Sequence, residues 1–479
     1  MILDYALETE LAPDLLRDLP NAIIKYYIKP YHRYRTFHQV RITDAMKLSY
    51  RVILGQFKTV YIEVLATSPI RIYIKGEGPD ISRESLEELY EDLALIIQGI
   101  EETIRRKTLY FAFTPGKIGN LERTRNHGRI TRMFTDSMLG IYSLLILASF
   151  GIFLVIPMIH PDLVFFTPFI LVGFLSMGTI FAGKIVGRSA DWILEPNEGI
   201  TFLQYTLPEE FMQNPLALKR FRLSELRKLV YEQLKKESSP EPSCDAIYAI
   251  FAKFGIPCAP GSLVVKHIPL YNLIAEVAEK FRVSLPKIVI LNTVIPNAAA
   301  AGPGVKLGVM LVTTGLLYQL DEEEIKQVIG HEFAHLRKHD PLILFGLTSL
   351  ELLARFYFFW ELILFSWVAF FGYLLITSFI IYFIGKILEM RADIISAKHL
   401  GRPQILAEAL RKIGALKLLP IVKREPKFAS ARRREWLTFE PHPPLYFRIK
   451  KLLEFREKQL PRLPLLSAAK MCIGGVLSP

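Results

Sequence analysis

The chain has 479 residues, a formal net charge of +12 and 51% hydrophobic residues, and it contains three cysteines. Cys244, Cys258 and Cys472 lie far apart without C-x-x-C spacing, which excludes a disulfide framework and a cysteine-based zinc site. We interpret them as reduced structural thiols. The basic residues cluster beside apolar segments, so we expect membrane topology to account for the charge and expect no nucleic acid partner.

Residues 1–133 predict a mixed α/β domain of unknown role on the cytosolic side. Residues 82–106 have helical periodicity, with Ser85 or a nearby acidic residue at the helix start. Three segments have the β-branched and aromatic residues of strands: 59–65, 70–74 and 108–113. The chain begins MILDYALETELAPD, with acids where a signal peptide requires basic and then apolar residues. We therefore expect this domain to stay on the side where it is made.

Long apolar segments predict an integral membrane protein. Met138–Met158 and Leu163–Gly183 each have 21 residues without a charge, which as helices span a bilayer core of about 30 Å. Pro341–Gly385 is a third apolar region, in which Glu351 and Arg355 are spaced to pair on one helix face. The sequence therefore predicts two transmembrane hairpins, 138–183 and 341–386, with two spans each.

The basic residues predict the orientation of these spans. They precede the first span, follow the second and flank the third apolar region, whereas His160–Asp162 between the first two spans has none. Because cytoplasmic loops carry the excess of Lys and Arg, we place both termini in the cytoplasm. The expected protein crosses the cell membrane several times, contacts its lipids and has residues 191–340 and 387–479 on the cytoplasmic side.

Residues 191–340 predict a small sheet with helices. Leu223–Glu237 and Leu270–Phe281 have helical periodicity, and Pro286–Leu291 and Gly308–Thr313 are apolar strand candidates. A further helix begins after Asp321, an N-cap residue followed by three glutamates. We expect this last helix to pack on the sheet, whose edge can bind an extended peptide as an additional strand.

This last helix carries the sequence H-E-F-A-H, with His331, Glu332 and His335. Residues four apart share a helix face, so the two imidazoles can bind one Zn²⁺ while Glu332 reaches a water molecule beside it. An ordinary surface helix with two histidines is the alternative. His339 continues the spacing, but a site at His335 and His339 would leave Glu332 about a turn too far away.

A catalytic zinc site needs a third protein ligand. The candidates downstream are Glu351, Glu361, Glu389, Glu408 and the glutamates beyond Lys423. An even number of membrane crossings returns Glu389 to the cytoplasmic side and leaves Glu361 at the far turn. Asp393, four residues after Glu389, can accept the outer N–H of a ligating histidine or be an ordinary solvated acid.

The chain resembles the HtpX-like membrane metallopeptidases, relatives of the CAAX prenyl endopeptidases in the gluzincin group. The resemblance covers residues from about 265 to 455. The matching segments are PNAAAAG from Pro296, TTGLL from Thr313, HEFAH from His331 with Asp340 closing it, EMRAD from Glu389 and H-P-P-x-x-x-R from His442. It implies that His331, His335 and Glu389 bind zinc.

The resemblance also implies roles around the metal. Glu332 is then the general base, Asp393 supports a ligand, and Asn297 and Ala298 lie on the strand that binds substrate. His442 is expected to stabilise the oxyanion, although a histidine beside proline is equally typical of a surface loop. Taken together, the sequence predicts the fold class α+β: a polytopic α-helical membrane protein with a zincin-type peptidase domain and an N-terminal mixed α/β domain.

The predicted function is a zinc endopeptidase that cleaves cytosolic segments of misfolded or damaged membrane proteins. In this prediction Glu332 takes the proton of the attacking water and returns it to the leaving amine. Two alternatives stay open: a prenyl-protein endopeptidase, which is expected to have about seven spans, and a non-catalytic membrane scaffold. About 130 residues precede the first hairpin, unlike in the resembling family, so regulation and substrate delivery stay open as well.

Overall fold

A computed structural model describes residues 2–7, 9, 13–29, 36–55, 58–78, 81–105, 108–114, 155, 160, 165–206, 223–236, 244–256, 263–358, 366–424, 435–455 and 460–477. The chain forms two compact units. One consists of Met1–Leu109 and Gly414–Arg432, and the other of Tyr110–Ile413 and Arg433–Pro479.

The first unit contains a five-stranded antiparallel sheet in the order β1-β5-β4-β3-β2. Its elements are β1 (Ile2–Leu7), α1 (Pro13–Ile23, continued by a π-helical turn, Ile24–Ile28), β2 (Thr36–Thr43), β3 (Lys47–Gly55), β4 (Lys58–Leu65), β5 (Ile70–Glu77) and α2 (Arg83–Arg105). In β4 and β5 alternate apolar residues are buried, as expected for a sheet with one covered face.

The predicted strands of this unit are confirmed as β4 and β5, and the predicted helix as α2. The N-terminal end of α2 differs from the prediction in one detail. The Ser82 hydroxyl accepts the backbone N–H of Ser85 at 3.2 Å, so Ser82 is the capping residue. β1, β2 and β3 were not predicted. β1 and β2 each bury a single residue, Leu7 and Phe37, so they lack a clear alternation, whereas Leu48, Tyr50 and Val52 of β3 are buried at alternate positions.

The second unit contains two small sheets and most of the helices. Its strands are β6 (Thr108–Phe113), β7 (Trp192–Ile193), β8 (Ile200–Thr206), β9 (Leu263–Ile268), β10 (Lys287–Leu291), β11 (Ala298–Ala301) and β12 (Val309–Thr313). The strand orders are β6-β8-β9 and β11-β12-β10-β7. The predicted strands at 108–113, 286–291 and 308–313 are confirmed as β6, β10 and β12.

The helices of this unit differ in how clearly the sequence shows helical periodicity, which is strong at 223–236 and 270–281 and weak in the long apolar helices. They are α3 (Thr167–Ser189), α4 (Leu223–Lys236), α5 (Cys244–Lys253), α6 (Leu270–Phe281), α7 (Thr314–Gln319), α8 (Glu322–Arg337), α9 (Asp340–Tyr357), α10 (Trp367–Leu400), α11 (Pro403–Arg424), α12 (Leu445–Glu454) and α13 (Pro464–Leu477). The helices predicted at 223–237 and 270–281 are therefore confirmed. The face of α6 formed by Leu273, Ile274, Val277 and Phe281 is buried.

The sheet β11-β12-β10-β7 supports the long helix α8. β10 and β12 are parallel, with Ile288 opposite Met310, and β11 pairs antiparallel with β12 at the edge of the sheet. Buried residues of this sheet, of α6 and α8 and of the C-terminal half of α10 belong to one apolar core. The expectation that the helix packs on a small sheet is thus confirmed.

In the part of the chain that the structure describes, two helices are long and apolar enough to cross a membrane: Thr167–Arg188 and Val368–Leu400. Many of their large apolar side chains are exposed, as on a surface that lipid can cover. Within α9 the predicted pair is present, with Arg355 Nε 3.3 Å from Glu351 Oε1. The predicted span at 138–158 and Glu361 lie outside the described residues, apart from Val155, and the four-span topology stays a prediction.

Candidate metal centre and active site

α8 is fixed at its N-terminal end by a reciprocal cap. The Asp321 carboxylate accepts the Glu324 N–H at 2.8 Å, and the Glu324 side chain accepts the Asp321 N–H at 3.0 Å. Lys412 Nζ lies 2.8 Å from Glu324 Oε1 in the interior. The predicted N-cap is confirmed, and the buried lysine ties the helix start to α11.

α8 and α10 approach each other closely beside His331. A Cβ atom built on Gly330 would lie 2.4 Å from Leu400 Cδ1 and 2.8 Å from Ser396 Oγ, which leaves no room for a side chain. The Ser396 hydroxyl donates to the Gln327 carbonyl at 3.0 Å across the same contact. The close crossing brings ligands from two helices to one point.

That point is formed by His331 and His335 of α8 and Glu389 of α10. The two Nε2 atoms are 3.1 Å apart; Glu389 Oε2 lies 3.3 Å from that of His331, and Glu389 Oε1 lies 3.3 Å from that of His335. The potential ligand atoms of the three residues all lie within 4.8 Å of one another. The structure thus brings together the three residues that were predicted to bind the metal.

The outer nitrogen of each histidine faces a buried carboxylate. His331 Nδ1 lies 2.9 Å from Asp393 Oδ1, and His335 Nδ1 lies 2.8 Å from Asp340 Oδ2. A carboxylate at Nδ1 favours the tautomer that carries its proton there, so each Nε2 keeps a lone pair directed at the common point. The predicted contact of Asp393 is present, whereas the contact of Asp340 was not predicted.

Each of these carboxylates is in turn paired with a buried arginine. Arg448 donates to both oxygens of Asp393, at 2.8 and 2.7 Å, and also lies 3.4 Å from Glu389. Arg391 contacts Asp340. Each histidine thus belongs to a buried triad of side chains: His331–Asp393–Arg448 and His335–Asp340–Arg391. In the sequence, Asp340 and Arg448 stand out only as members of the segments that carry the family resemblance, and the spacing of neither indicates which histidine or acid it contacts.

The electrostatics of the centre favour a cation. Burial lowers the pKa of His331 and His335, but the adjacent carboxylates outweigh burial and raise both pKa values above the ordinary one. Burial likewise opposes the charge of Arg448, yet Asp393 and Glu389 raise its pKa. Two imidazole nitrogens and a carboxylate with fixed tautomers are the donor set of a catalytic His₂Glu zinc site, so these residues fit such a metal.

Glu332 lies beside the ligands and contacts the edge strand. Its Oε2 accepts the backbone N–H of Ala300 in β11 at 2.9 Å. Burial raises the pKa of Glu332, and His331 and His335 partly offset this. A carboxylate whose pKa is shifted towards neutrality suits a general base. Sequence reasoning missed Ala300, because a backbone donor leaves no trace in the residue type.

Ala298 is the first residue of that strand, and Asn297, which was predicted to lie on it, directly precedes it. The Thr313 N–H donates to the Asn297 carbonyl at 3.0 Å, so residues 297 and 313 form a hydrogen-bonded pair of the antiparallel ladder. Such pairs alternate along the ladder, and the backbone groups of Ala298 and Ala300 therefore point away from β12. The outward N–H of Ala300 is the one that Glu332 accepts.

The two remaining histidines have different surroundings. His442 Nδ1 lies 2.9 Å from Glu389 Oε2, and its side chain is half exposed. His339 has a left-handed backbone with φ of 56° at the start of α9, and its Nδ1 lies 2.8 Å from the Pro303 carbonyl. His442 thus lies in the centre, whereas His339 is outside it, so the register with His331 and His335 is the one that this geometry favours.

Comparison with known proteins identifies the family. The sequence model of Peptidase family M48 matches residues 268–456. A Protease HtpX homolog of Methanothermobacter thermautotrophicus is 34% identical over 166 residues, which are 33% of this chain and 63% of the relative. One of Thermodesulfovibrio yellowstonii is 29% identical over 176 residues, 36% of this chain and 48% of the relative.

A Protease HtpX homolog of Methanocaldococcus jannaschii is 32% identical over 211 residues, which are 39% of this chain and 74% of the relative. The chain spans less than two thirds of the first two relatives, but about three quarters of this one. The predicted resemblance to HtpX-like metallopeptidases is confirmed at the level of the family. The chain belongs to peptidase family M48.

Proposed function

We propose that the chain is a membrane-bound zinc endopeptidase. The observation that carries the proposal is the convergence of His331, His335 and Glu389 on one point within 4.8 Å, with Glu332 beside it. When bound, a zinc ion there would lower the pKa of a water molecule and polarise a carbonyl group. The chain's own residues then supply the proton transfers and the positioning of the substrate.

Glu332 is the proton carrier of the proposed reaction. Its Oε2 is held by the Ala300 N–H at 2.9 Å, which leaves Oε1 to accept the proton of the attacking water. The same carboxylic acid then protonates the leaving amine, so the cycle returns Glu332 to its starting state. Burial raises the pKa of Glu332, which increases its basicity for the first step.

The edge strand β11 orients the substrate. An extended peptide can pair with the outward N–H and C=O groups of Ala298, as an added strand does at an open sheet edge. Asn297 fixes this strand through its backbone, since its N–H donates to Thr313 Oγ1 at 2.8 Å. Main-chain pairing of this kind selects extended, unstructured segments over folded ones.

His442 stabilises the oxyanion in this proposal. The proposal is supported by its half-exposed ring, whose Nδ1 lies 2.9 Å from Oε2 of Glu389, a ligand of the proposed metal. A hydrogen bond that strengthens as charge develops lowers the barrier of the reaction. Arg448 and Asp393 take no part in proton transfer and keep the ligand histidine in its tautomer.

The natural substrates in this proposal are cytosolic segments of misfolded or damaged membrane proteins. The exposed apolar faces of α3 and α10 support a membrane location, and the basic residues at 184, 188, 337 and 338 support a cytoplasmic site. α10 continues without interruption from its apolar half into the helix that carries Glu389. A site so close to the bilayer surface meets loops and tails of membrane proteins first.

The exchange Glu332→Gln tests the chemistry. It keeps the size and the acceptor oxygen of the side chain but removes the base, so we expect normal zinc content and no cleavage of casein. Glu322→Gln on the exposed first turn of α8 is the matched control and should cleave at the wild-type rate. Undiminished cleavage by Glu332→Gln refutes the proposed role.

A second experiment tests the substrate class. The wild-type protein in proteoliposomes is given one membrane protein in two forms, native and with an unfolded cytosolic loop. We expect cleavage of the unfolded loop only. Equal cleavage of both forms, or cleavage on the opposite side of the bilayer, contradicts the proposed substrates or the proposed orientation.

A further inference from the structure

One face of α10 contacts a short segment that ends at His442. We define the HPP segment as residues 435–444, between the described end of α11 and the start of α12. The contacting positions on α10 are Tyr382, Gly385, Lys386 and Glu389, which are spaced i, i+3, i+4 and i+7. Such positions form one stripe along a helix. The stripe runs from the apolar half of α10 to the metal centre.

Each position on the stripe has its own partner in the HPP segment. The ring of Tyr382 meets the ring of Phe439 edge-on, with centroids 5.8 Å apart. A Cβ atom on Gly385 would lie 3.2 Å from Pro441 Cβ, so the segment lies against the helix backbone. Glu389 contacts His442 at 2.9 Å. Successive turns of the helix thus match successive residues of the segment.

Lys386 makes the strongest of these contacts. Its Nζ donates to the Thr438 carbonyl at 2.9 Å and to the Glu440 carbonyl, and the side chain is 1% exposed. A buried ammonium group is very costly unless acceptors satisfy it, and here backbone carbonyls of the HPP segment do so. The segment can leave the helix only if this charge loses its partners.

The HPP segment is also held from its other side. The buried Trp436 meets Phe447 with ring centroids 4.9 Å apart, and it lies so close to Gly475 that a Cβ atom there would be 2.4 Å from its ring. The Cys472 thiol donates to the Lys386 carbonyl at 3.7 Å. α13 therefore packs behind both α10 and the segment. The position of His442 depends on this packing, because its own side chain is half exposed.

We propose that Lys386 is a positioning residue of the active site: its contacts with the Thr438 and Glu440 carbonyls hold the HPP segment so that His442 stays on Glu389. This inference rests on the proposed function for its effect on catalysis. The role of Lys386 in holding the HPP segment against α10 does not depend on that function. Removal of the ammonium group should free the segment and with it the donor beside the third ligand.

The test compares Lys386→Met with His442→Ala and with the double variant. Methionine fills the space of the lysine stem but cannot donate. We expect each single exchange to lower kcat/KM on an unfolded protein by about 10- to 100-fold, as for residues that support metal ligands, with the larger effect on kcat. The double variant should be no worse than His442→Ala, and Lys386→Arg should restore part of the activity. Lys398→Met, on the exposed end of the same helix, is the matched control.

A second measurement does not depend on activity. In the Glu332→Gln background, which prevents self-digestion, an added protease should cut residues 435–444 faster in Lys386→Met than in the unmodified chain. Zinc affinity from competition with a chelator should fall as well. Gly385→Ala pushes on the same segment through Pro441 and should change both readouts in the same direction, even if Lys386→Met does not fold.

The outcomes separate the two claims. If the wild-type protein cleaves no unfolded substrate, the proposed function fails, while protease accessibility and zinc affinity still decide the role of Lys386. Full activity of Lys386→Met, or losses that multiply in the double variant, would overturn the inference. Unchanged protease accessibility of the HPP segment in both Lys386→Met and Gly385→Ala would overturn it too.

Discussion

The exchange Asp393→Asn tests one of the two triads that support the metal-binding histidines. Asp393 is completely buried, lies 2.9 Å from His331 Nδ1 and accepts two hydrogen bonds from Arg448. Asparagine keeps the shape of the side chain but removes the negative charge. It can also present its amide group to the histidine, which favours the wrong tautomer for a metal ligand.

The magnitude follows from these contacts. Loss of a carboxylate partner behind a metal-binding histidine costs about 10- to 100-fold in metal affinity, equivalent to ~1.4–2.7 kcal/mol. The metal-free protein loses stability as well, because the buried Arg448 loses its negatively charged partner and one of the two oxygens to which it donates. Removal of one member of a buried ion pair costs about 3–5 kcal/mol, and the remaining asparagine oxygen reduces this figure.

Two assays separate these effects. Competition with a chromogenic chelator gives the zinc affinity, and thermal unfolding in detergent gives the stability of the metal-free protein. Asp4→Asn on the exposed strand β1 is the control and should change neither quantity. Wild-type zinc affinity in Asp393→Asn would refute the reasoning that the carboxylate sets the tautomer of His331.

Three further exchanges test other contacts of α8. Gly330→Ala should lower the free energy of unfolding by about 1–3 kcal/mol, and with it the midpoint of thermal unfolding, because its Cβ would lie 2.4 Å from Leu400 Cδ1. An unchanged midpoint would contradict the close crossing of the two helices. Burial raises the pKa of Glu324 from 4.5 to about 7. The protonated side chain therefore stabilises the fold below pH 4.5, and this contribution is lost as the pH rises to about 7. Glu324→Gln should remove that pH dependence from thermal unfolding. Ala300→Pro removes the N–H that donates to Glu332 but no hydrogen bond of the strand ladder. It should lower kcat about tenfold, because a hydrogen bond to a charged group contributes about 1.5 kcal/mol. An unchanged kcat would show that Glu332 does not need this contact.

Periodicity predicted the elements of the fold that bury one face. α6 and α8 each place apolar residues at helical spacing, and β10 and β12 are short continuous apolar runs, so their bounds differ from the predicted ones by a few residues at most. β2 has no such pattern because only Phe37 of its residues is buried, whereas the alternation of Leu48, Tyr50 and Val52 in β3 was a signal that the prediction did not use.

The residues of the site likewise fall into those that the sequence predicted and those that it did not. Glu389 was predicted from the parity of membrane crossings and from the family resemblance, and Asp393 because it lies four residues after Glu389 on the same helix face. Asp340 follows a change of direction at His339, and Arg448 arrives from a helix far along the chain, so no local spacing relates either to a histidine. Contacts through the backbone, such as the Ala300 N–H on Glu332, have no sequence signal at all.

The charges of the two triads lead to a last prediction, that metal binding is coupled to the release of protons. Four carboxylates meet at the centre, those of Glu332, Glu389, Asp340 and Asp393, whereas two buried arginines face them. With neutral histidines, two negative charges are left without a counter-charge, which is costly in a buried site and which one divalent cation would balance.

In the metal-free protein protons provide part of this balance, because the carboxylates raise the pKa values of His331 and His335. Metal binding must displace these protons, since only the neutral imidazole is a ligand. We therefore expect zinc titration near neutral pH to release on the order of one to two protons, measured by calorimetry in buffers with different ionisation enthalpies. The affinity should fall as the pH decreases through the raised histidine pKa values. An identical heat in every buffer would show that the carboxylates do not hold protons on the histidines, and that the charge balance of the centre has another origin.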